Sequence, residues 1–496
     1  MISYRTPIDN IKSSKVTLIL LIMLFTCAIG LITGLGYYSI LVILLFCSIV
    51  FAIFMFRAEY LLYYYLVLGA LTFPGALDRI GGLVTLNWVR TAFLAILYLL
   101  YSLVFAQNIR EVVKSRESKR FLLAIFPWIG YLGITILWAI SPVDSMRYYP
   151  KLLMAAFLAL SLLLDRRIPS TKCFKMLIIG AIIFLVVSTI AIPFAKALWP
   201  GNPPDYFRGY SGRHASKFYV LFIAILALSM WLVNKRKKLS IFMLIYSFIM
   251  LIWILQRGAI LALVLGGLTV FLLTIRKAPF SLITKGMLSL GLIILGIYVL
   301  FYTPSFQESM FKPHYGPNQF FGYMLKGDVS SAVHSIDFKG RFEQWEVAKE
   351  LQESFLGKGF GTTPVYIKRI SGQYFELHND VLQYRIETGY IGFVLYLFMW
   401  ISIFSLGWKF RHSDDKILRI LCLALCGYTV ALFSWSFVEH VFDYSHMSGA
   451  YMFILAALVV KRVMENTRSA GVKQTPDDGV WTSTTSTAIM LAFKQL

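Results

Sequence analysis

Apolar residues run almost without interruption along most of the chain, and short polar connections divide them into segments. A membrane-spanning helix needs about 20 mostly apolar residues, and fourteen segments approach that length. They lie near residues 16–36, 37–56, 59–77, 88–107, 121–140, 151–164, 173–197, 218–234, 239–255, 259–275, 284–302, 389–408, 417–438 and 447–460. The segments 151–164 and 447–460 are short, so an interfacial or re-entrant piece is the alternative for each. The pattern predicts an all-α polytopic integral membrane protein with about 12–14 transmembrane helices.

A single long polar segment, residues 303–388, interrupts this series of apolar segments. The domain organisation that follows is helices 1–11 within residues 1–302, the loop 303–388, helices 12–14 within residues 389–460, and a tail of residues 461–496. We expect the tail to be disordered, because Pro, Asp, Ser and Thr dominate its end. Inside the loop, apolar residues at helical spacing between Gly340 and Leu356 predict a short amphipathic helix.

The composition agrees with a membrane protein and excludes several other classes. The chain has 496 residues, of which 58% are hydrophobic and only 15% are charged, whereas soluble proteins carry about 25% charged residues. The mean hydropathy is +0.70. A soluble globular enzyme, a disordered chain and a collagen-like fibre are therefore excluded. The five cysteines, most of them inside apolar segments, predict packing roles rather than disulfides or a metal site.

The net charge of +22 has a topological explanation. If the N-terminus is cytoplasmic, 29 of the 47 basic residues fall in the terminal segments and in every second connection. The positive-inside rule then places both termini in the cytoplasm of a bacterial inner membrane, and residues 303–388 on the periplasmic side. Because the basic residues are dispersed over many loops, nucleic acid is not an expected partner.

A few basic residues break this rule, and they are the candidates for binding an anion. Arg208, Arg213 and His214 lie in the predicted outer connection 205–214, and Arg257 lies at the outer end of a span. A snorkelling side chain is the ordinary explanation for such an arginine. The alternative is a phosphate site, because guanidinium binds phosphate oxygens through two parallel hydrogen bonds.

The end of the loop carries the most chemically reactive string, His378-Asn379-Asp380, at the mouth of a predicted span. Asn379 or Asp380 can cap the helix that follows, which is the ordinary interpretation. A cap can also fix a neighbouring catalytic residue. Upstream, the glycines of Gly357-Lys358-Gly359-Phe360-Gly361 indicate a flexible turn, with a phosphate-cradling loop as the alternative.

These strings resemble the O-antigen ligase/polymerase family over roughly residues 205–410. The pattern R-x-x-x-W-x-x-A from Arg341 to Ala348 precedes G-x-G-F-G from Gly357 to Gly361. The most specific string is His378-Asn379 followed by Leu382, Glu387, Gly389 and Gly392. Members of this family are commonly described with about 12 membrane helices, fewer than the fourteen segments found here.

The resemblance implies an inner-membrane glycosyltransferase that acts at the periplasmic face. Such an enzyme moves a glycan from an undecaprenyl-diphosphate carrier to an acceptor hydroxyl. The expected partners are this lipid-linked oligosaccharide, an acceptor glycolipid, membrane lipid and a chain-length regulator, with neither metal nor cofactor. We favour a surface-polysaccharide polymerase, such as an O-antigen polymerase; an O-antigen ligase that attaches glycan to lipid A-core is the alternative.

Roles for the candidate residues follow from this chemistry. A sugar hydroxyl needs a base near neutral pKa, and His378 is the candidate, with Asp380 or Glu376 orienting it and Asn379 beside it. The leaving diphosphate needs cations, for which we expect Arg257 first, then Arg213 and Arg208, with His214 as a further polar candidate. Direct attack would invert the anomeric centre.

A flippase or transporter of lipid-linked oligosaccharides is the main rival from another functional class. Transporters often contain internal repeats and ionisable residues near the middle of the membrane. The chain shows no similar halves, and its polar candidates gather at one predicted face. The enzyme is therefore the favoured interpretation.

Overall fold

A computed structural model describes residues 59–71, 79–80, 84–191, 212–254, 257–275, 314–336, 354–371, 377–442 and 448–472, together with isolated residues between 284 and 351. The predicted spans 16–36, 37–56 and 284–302 lie outside the described residues, apart from isolated positions. The same holds for Arg208, Glu376 and residues 473–496.

The described part of the chain is almost entirely helical. Its α-helices are α1 (Glu59–Leu68), α2 (Leu86–Val104), α3 (Ile109–Lys114), α4 (Arg116–Thr135), α5 (Pro142–Leu164), α6 (Ser170–Ala191), α7 (Gly212–Leu232), α8 (Lys237–Ile254), α9 (Arg257–Ile275), α10 (Pro317–Leu325), α11 (Val329–Ser335), α12 (Thr363–Ser371), α13 (Asp380–Phe410), α14 (Lys416–Trp435) and α15 (Ser448–Val472). Short 3₁₀ turns cover Ala106–Asn108 and Ile136–Trp138. A two-residue antiparallel pair, β1 (Arg79–Ile80) and β2 (Val84–Thr85), precedes α2.

Six of the described helices are long and apolar enough to cross a membrane. They are Arg116–Trp138, Pro142–Leu164, Ser170–Ala191, Gly258–Ile275, Asp380–Phe410 and Lys416–Trp435. A seventh is added if Val89–Val104 and Ala106–Lys114, which meet at 60°, form one broken span. The prediction of an all-α polytopic membrane protein is confirmed. The total of fourteen spans stays a prediction, because several of them lie outside the described residues.

Two segments whose apolar runs are short for a membrane span belong to longer helices. Segment 151–164 lies in α5, which begins at Pro142, and segment 447–460 lies in α15, which continues to Val472. Polar residues interrupt the apolar run in both helices, so the apolar segments read from the sequence are shorter than the helices. In α15 the polar residue is Lys461, which is buried and donates to the carbonyls of Leu162 and Asp165 at 2.7 and 2.6 Å. Residues 461–472, assigned to the tail, therefore continue the last helix.

The connections between helices collect at two opposite ends of the bundle. At one end, the turn after α4, the loop before α12, the start of α13 and the segment after α14 contact one another. At the other end lie the ion pairs Arg166–Glu111, Lys409–Glu117 and Arg462–Asp415. This separation agrees with the alternation of inside and outside connections that the basic residues predict. We call the first group the outer end, after the side of the membrane on which the basic residues predict it to lie.

Candidate active site

His378 lies at the outer end, in the short connection between α12 and α13. Asn379 caps α13, and its side-chain oxygen accepts from the Leu382 N–H at 2.9 Å. The prediction that Asn379 or Asp380 caps this helix is therefore confirmed, and Asn379 is the cap. His378 itself has a φ of +49°, and the imidazole is about one-third exposed, at 31%. The cap thus leads the chain into the membrane helix and leaves the histidine at its mouth.

Two residues of the segment after α14, Glu439 and His440, hold His378 in place. The Nδ1 atom of His378 lies 2.9 Å from Oε1 of Glu439, and the His378 N–H donates to Nε2 of His440 at 2.8 Å. Because a carboxylate only accepts, Nδ1 is the donor in the first contact. The lone pair of the neutral ring is then on Nε2, the nitrogen available to a substrate.

The carboxylate on the His378 ring was not among the sequence candidates. Glu439 lies 61 residues further along the chain, and its only sequence signal is a polar Glu-His pair in a predicted outer connection. It is almost fully buried, and its Oε2 lies 2.8 Å from the ammonium of Lys217 in α7. Burial alone would raise the pKa of Glu439, but Lys217 and His378 together hold that pKa well below its usual range.

Asp380, expected to orient the histidine, supports the segment after α14 instead. Its Oδ2 accepts from the N–H groups of Val441 and Phe442 at 2.9 and 3.0 Å. Its own N–H donates to the carbonyl of Ser436 at 2.8 Å. As the first residue of α13, Asp380 thus fixes the segment that carries Glu439. Its Oδ1 lies 3.6 Å from Nδ1 of His440.

The glycine-rich loop binds a carboxylate of the chain itself. Glu387 in α13 accepts from the N–H groups of Gly361 and Thr363 at 2.8 and 3.1 Å. The N–H groups of Lys358 and Gly359 donate to the carbonyls of Ile386 and Glu387. Four N–H groups that could have faced a phosphate are therefore used within the chain. This favours the turn over the phosphate-cradling loop.

A small apolar cluster in the loop supports the residue before His378. It contains Trp345, Ala348, Leu351, Ile367, Leu377 and Ile386. The indole N–H of Trp345 donates to the carbonyl of Leu377 at 2.9 Å. Trp345 and Ala348 are the two characteristic residues of the R-x-x-x-W-x-x-A string. That string and the His378-Asn379 string therefore meet in one structure.

Three of the sequence candidates for diphosphate binding, Arg257, Arg213 and His214, have a described backbone. Arg213 and His214 lie in the first turn of α7, one turn before Lys217, and Arg257 is the first residue of α9. Their side chains lie outside the described part of the structure. A Cβ atom on Gly258 would lie 2.4 Å from Nε1 of Trp435, and the ammonium of Lys217 lies 5.2 Å from the ring of that tryptophan. Both helices therefore begin beside Trp435, the last residue of α14, and α7 also reaches Glu439 through Lys217.

Residues 242–397 match the O-antigen ligase family. The resemblance seen in the sequence is thereby confirmed over about a third of the chain. No curated protein matches the chain.

The O-antigen ligase match covers most of the sequence candidates and stops before the residues that hold His378. It includes Arg257, the loop strings and the segment from His378 to Gly392. Lys217, Glu439 and His440 lie outside it. The matched family consists of glycosyltransferase-like enzymes, and the match supports a function of the O-antigen ligase or polymerase type in a multi-pass membrane protein. Such a function implies lipid-linked glycan donors and lipid A-core acceptors in general.

Proposed function

We propose that this chain is an inner-membrane glycosyltransferase that moves a glycan from undecaprenyl-diphosphate to an acceptor hydroxyl at the periplasmic face. The observation that carries the proposal is the arrangement at His378. Its Nδ1 contacts a buried carboxylate, and its ring is partly exposed at the mouth of a membrane helix. A histidine oriented by a carboxylate is a suitable general base for a hydroxyl nucleophile. Both termini would then lie in the cytoplasm.

The proposed reaction is a single displacement. The acceptor oxygen attacks the anomeric carbon, and Nε2 of His378 takes the hydroxyl proton as the new C–O bond forms. The bond between the anomeric carbon and the diphosphate oxygen breaks, and the lipid diphosphate leaves with that electron pair. Glu439 stabilises the imidazolium through Nδ1–H, as a buried carboxylate can do. The configuration at the anomeric carbon is inverted, and the mechanism uses no metal.

The leaving diphosphate requires positive charge, which we assign to Arg257, Arg213 and Arg208, with His214 nearby. The support is the position of the α7 and α9 starts beside the segment that carries Glu439. The first N–H groups of these helices also carry partial positive charge. Guanidinium groups placed there would neutralise the charge that develops as the bond breaks.

We favour a polymerase of O-antigen or another surface polysaccharide, working with a chain-length regulator. The second candidate is an O-antigen ligase, which the description of the matched family favours. A deletion strain distinguishes them by the banding of its lipopolysaccharide. Single-repeat caps on the core indicate a lost polymerase, and a bare core with long lipid-linked chains indicates a lost ligase.

The His378→Ala variant tests the enzyme itself. We expect glycan transfer to fall by about 10²–10⁴-fold, while lipid-linked units still accumulate on the outer face of the membrane. Exposed His334 in α11 offers a matched control, and His334→Ala should transfer normally. If the units instead stayed on the cytoplasmic face, the protein would be a flippase, and the proposed function would be wrong.

A further inference from the structure

A lysine is completely buried behind the candidate base. Lys217 lies in the second turn of α7 and has no exposed surface. Its Nζ donates to Oε2 of Glu439 at 2.8 Å, and it lies 5.1 and 5.2 Å from the ring centres of Phe218 and Trp435. A lysine is almost never buried to this extent unless it is paired. Its position 222 residues before Glu439 gives no local reason for the pairing.

The two oxygens of Glu439 have different partners. Oε2 faces the ammonium of Lys217, and Oε1 faces Nδ1 of His378. The charges of Lys217 and Glu439 compensate each other inside the protein, so the imidazole next to them need not carry a charge. A buried carboxylate without such compensation is costly.

Without the lysine, the same site would take up a proton. An uncompensated Glu439 can be relieved in two ways, since either the carboxyl group or the imidazole beside it can bind a proton at neutral pH. The first route removes the acceptor for Nδ1–H, and the second removes the lone pair on Nε2. Both routes disable the base until the pH is raised.

Neither His440 nor Asp380, whose side chains are described beside the pair, supplies the permanent positive charge of Lys217. His440 is stacked near His378, with ring centres 4.9 Å apart, and its Nε2 accepts the His378 N–H. Asp380 from α13 faces His440 and is an acid. The start of α9 brings Arg257 to this end, and the first turn of α7 brings Arg213 and His214. In the proposed function these three serve the diphosphate.

We propose that Lys217 is a positioning residue that keeps Glu439 ionised and His378 neutral, so that the histidine enters the reaction with Nε2 free. This inference rests on the proposed function of His378 as the base. Lys217 acts through Glu439 and has no exposed surface through which it could meet the substrate. Its contribution is therefore visible in the pH dependence of the reaction.

The test compares Lys217→Met, Lys217→Arg, Glu439→Gln and the double variant Lys217→Met/Glu439→Gln as full-length protein reconstituted in liposomes. The measurement is kcat/KM for transfer from a synthetic polyprenyl-diphosphate sugar between pH 5.5 and 9.5. We expect Lys217→Met to lose about tenfold or more at pH 7 and to recover at alkaline pH. The acid limb of its profile should move up by about one pH unit or more. Lys217→Arg should keep the wild-type profile, because the charge remains.

The double variant shows whether Lys217 works through Glu439. If it does, the double variant transfers as slowly as Glu439→Gln alone, because the carboxylate to be held ionised is gone. If the losses of the two single variants multiplied in the double variant, Lys217 would act independently of Glu439, and the inference would be overturned. A Lys217→Met loss that is equal at every pH would overturn it too, and would indicate a structural role.

Control variants distinguish a failure of this inference from a failure of the proposed function and from misfolding. If His378→Ala still transfers glycan, the proposed function fails. If His378→Ala is inactive but the Lys217→Met profile is unshifted, only the role of Lys217 fails. Should Lys217→Met not fold, Lys217→Gln removes the charge and keeps a donor for Glu439. It should show the same alkaline shift, and an unshifted profile would contradict the inference.

Discussion

His378 has a backbone conformation that few non-glycine residues adopt, and its neighbours explain why it does so. At a φ of +49° its N–H points to Nε2 of His440 while its ring reaches Glu439. Histidine, asparagine and aspartate tolerate this region better than most residues. The cap at Asn379 and the indole of Trp345 hold the residues on either side. The ring is therefore positioned by contacts from three separate parts of the chain.

Replacement of Glu439 by glutamine tests the orientation of the histidine. Glutamine fits the same space but removes the negative charge that stabilises the imidazolium. We expect transfer to fall by about 10²–10⁴-fold, as when a triad carboxylate becomes an amide. Glu465→Gln at the opposite end of the bundle is a matched control and should transfer normally. Transfer within about twofold of wild type in Glu439→Gln would exclude the carboxylate from the mechanism.

His440 should matter for stability through the hydrogen bond that it accepts from the His378 N–H. His440→Phe leaves the partly buried His378 N–H without its acceptor, which costs about 1–3 kcal/mol. His440→Gln retains an acceptor oxygen and should lose less. Thermal unfolding in detergent, together with transfer activity, measures both variants. Equal unfolding temperatures for the two variants would contradict the assigned hydrogen bond.

The kink in α13 is the feature that joins this helix to the glycine-rich loop. Gly389 has φ +62° and ψ −163°, a combination that is essentially restricted to glycine. A Cβ atom there would lie 2.3 Å from the carbonyl oxygen of Phe355. Gly357, across this contact, has a φ of +81°, and a Cβ atom on it would lie 2.2 Å from the carbonyl oxygen of Glu387. Two glycines thus allow the loop backbone to pack directly on the helix.

Gly389→Ala should therefore separate the loop from the helix. We expect a loss of at least about 2 kcal/mol, since both the backbone conformation and the close contact oppose a methyl group. Faster proteolysis of the loop and a lower unfolding temperature would show it. Gly322→Ala in α10 is the matched control, because nothing lies within 4 Å of its new methyl group. If Gly389→Ala kept the wild-type unfolding temperature and proteolysis rate, the kink at Gly389 would not require glycine, and the prediction would be wrong.

Asp415 combines two roles at the start of α14. It caps the helix by accepting from the N–H groups of Ile417 and Leu418, and it pairs with Arg462 in α15. Partial burial alone would raise the pKa of Asp415, but the hydrogen bond from Arg462 and further donors lower it. Because the folded pKa lies below the unfolded one, the stabilisation is complete above about pH 4 and is lost as the pH falls through the folded pKa.

Variants of Asp415 separate the cap from the charge. Asp415→Asn retains the cap, and Asp415→Ala loses it at a further cost of about 1 kcal/mol. The difference in unfolding free energy between wild type and Asp415→Asn should be constant from about pH 5 to about pH 8 and should shrink below about pH 4. Thermal unfolding across this range measures it. If this difference in unfolding free energy instead grew as the pH falls, the folded pKa of Asp415 would not lie below the unfolded pKa.

The whole molecule is organised by its two ends. The outer end collects the connections around His378, and the opposite end collects ion pairs between helix termini. The described helices between them expose apolar side chains such as Leu123, Val394 and Ile401. Lipid can cover such a surface, whereas water cannot do so at low cost.

Cysteine accessibility tests the orientation that the basic residues predict. Leu325 is 89% exposed in the predicted periplasmic loop, and Asp414 is exposed between α13 and α14 at the opposite end. In a chain without native cysteines, Leu325→Cys should react with an impermeant maleimide added to spheroplasts. Asp414→Cys should react only after the membrane is permeabilised. The opposite result would invert the topology and place His378 in the cytoplasm.

The apolar pattern was enough to predict the class of fold and the long apolar helices that the structure describes. Helix formation in a membrane depends on local composition, because the backbone must satisfy its own hydrogen bonds there. Lys461 shows the limit of this argument. A buried lysine shortened the apolar window of α15, and its acceptors on Leu162 and Asp165 lie 299 and 296 residues away. A single sequence contains no sign of such a contact.

At the candidate active site, too, local sequence pattern and long-range contacts determined different features. The chain by itself determined the membrane class, a helix cap at Asn379 or Asp380, and His378 as the residue with suitable chemistry, since each depends on residue type and short spacing. Only the tertiary structure placed Glu439 rather than Asp380 on the imidazole, and Lys217 behind it. These partners come from helices whose relative positions are decided by packing. That packing is a property of the whole bundle, which is why the catalytic candidate could be predicted while the groups that control its charge could not.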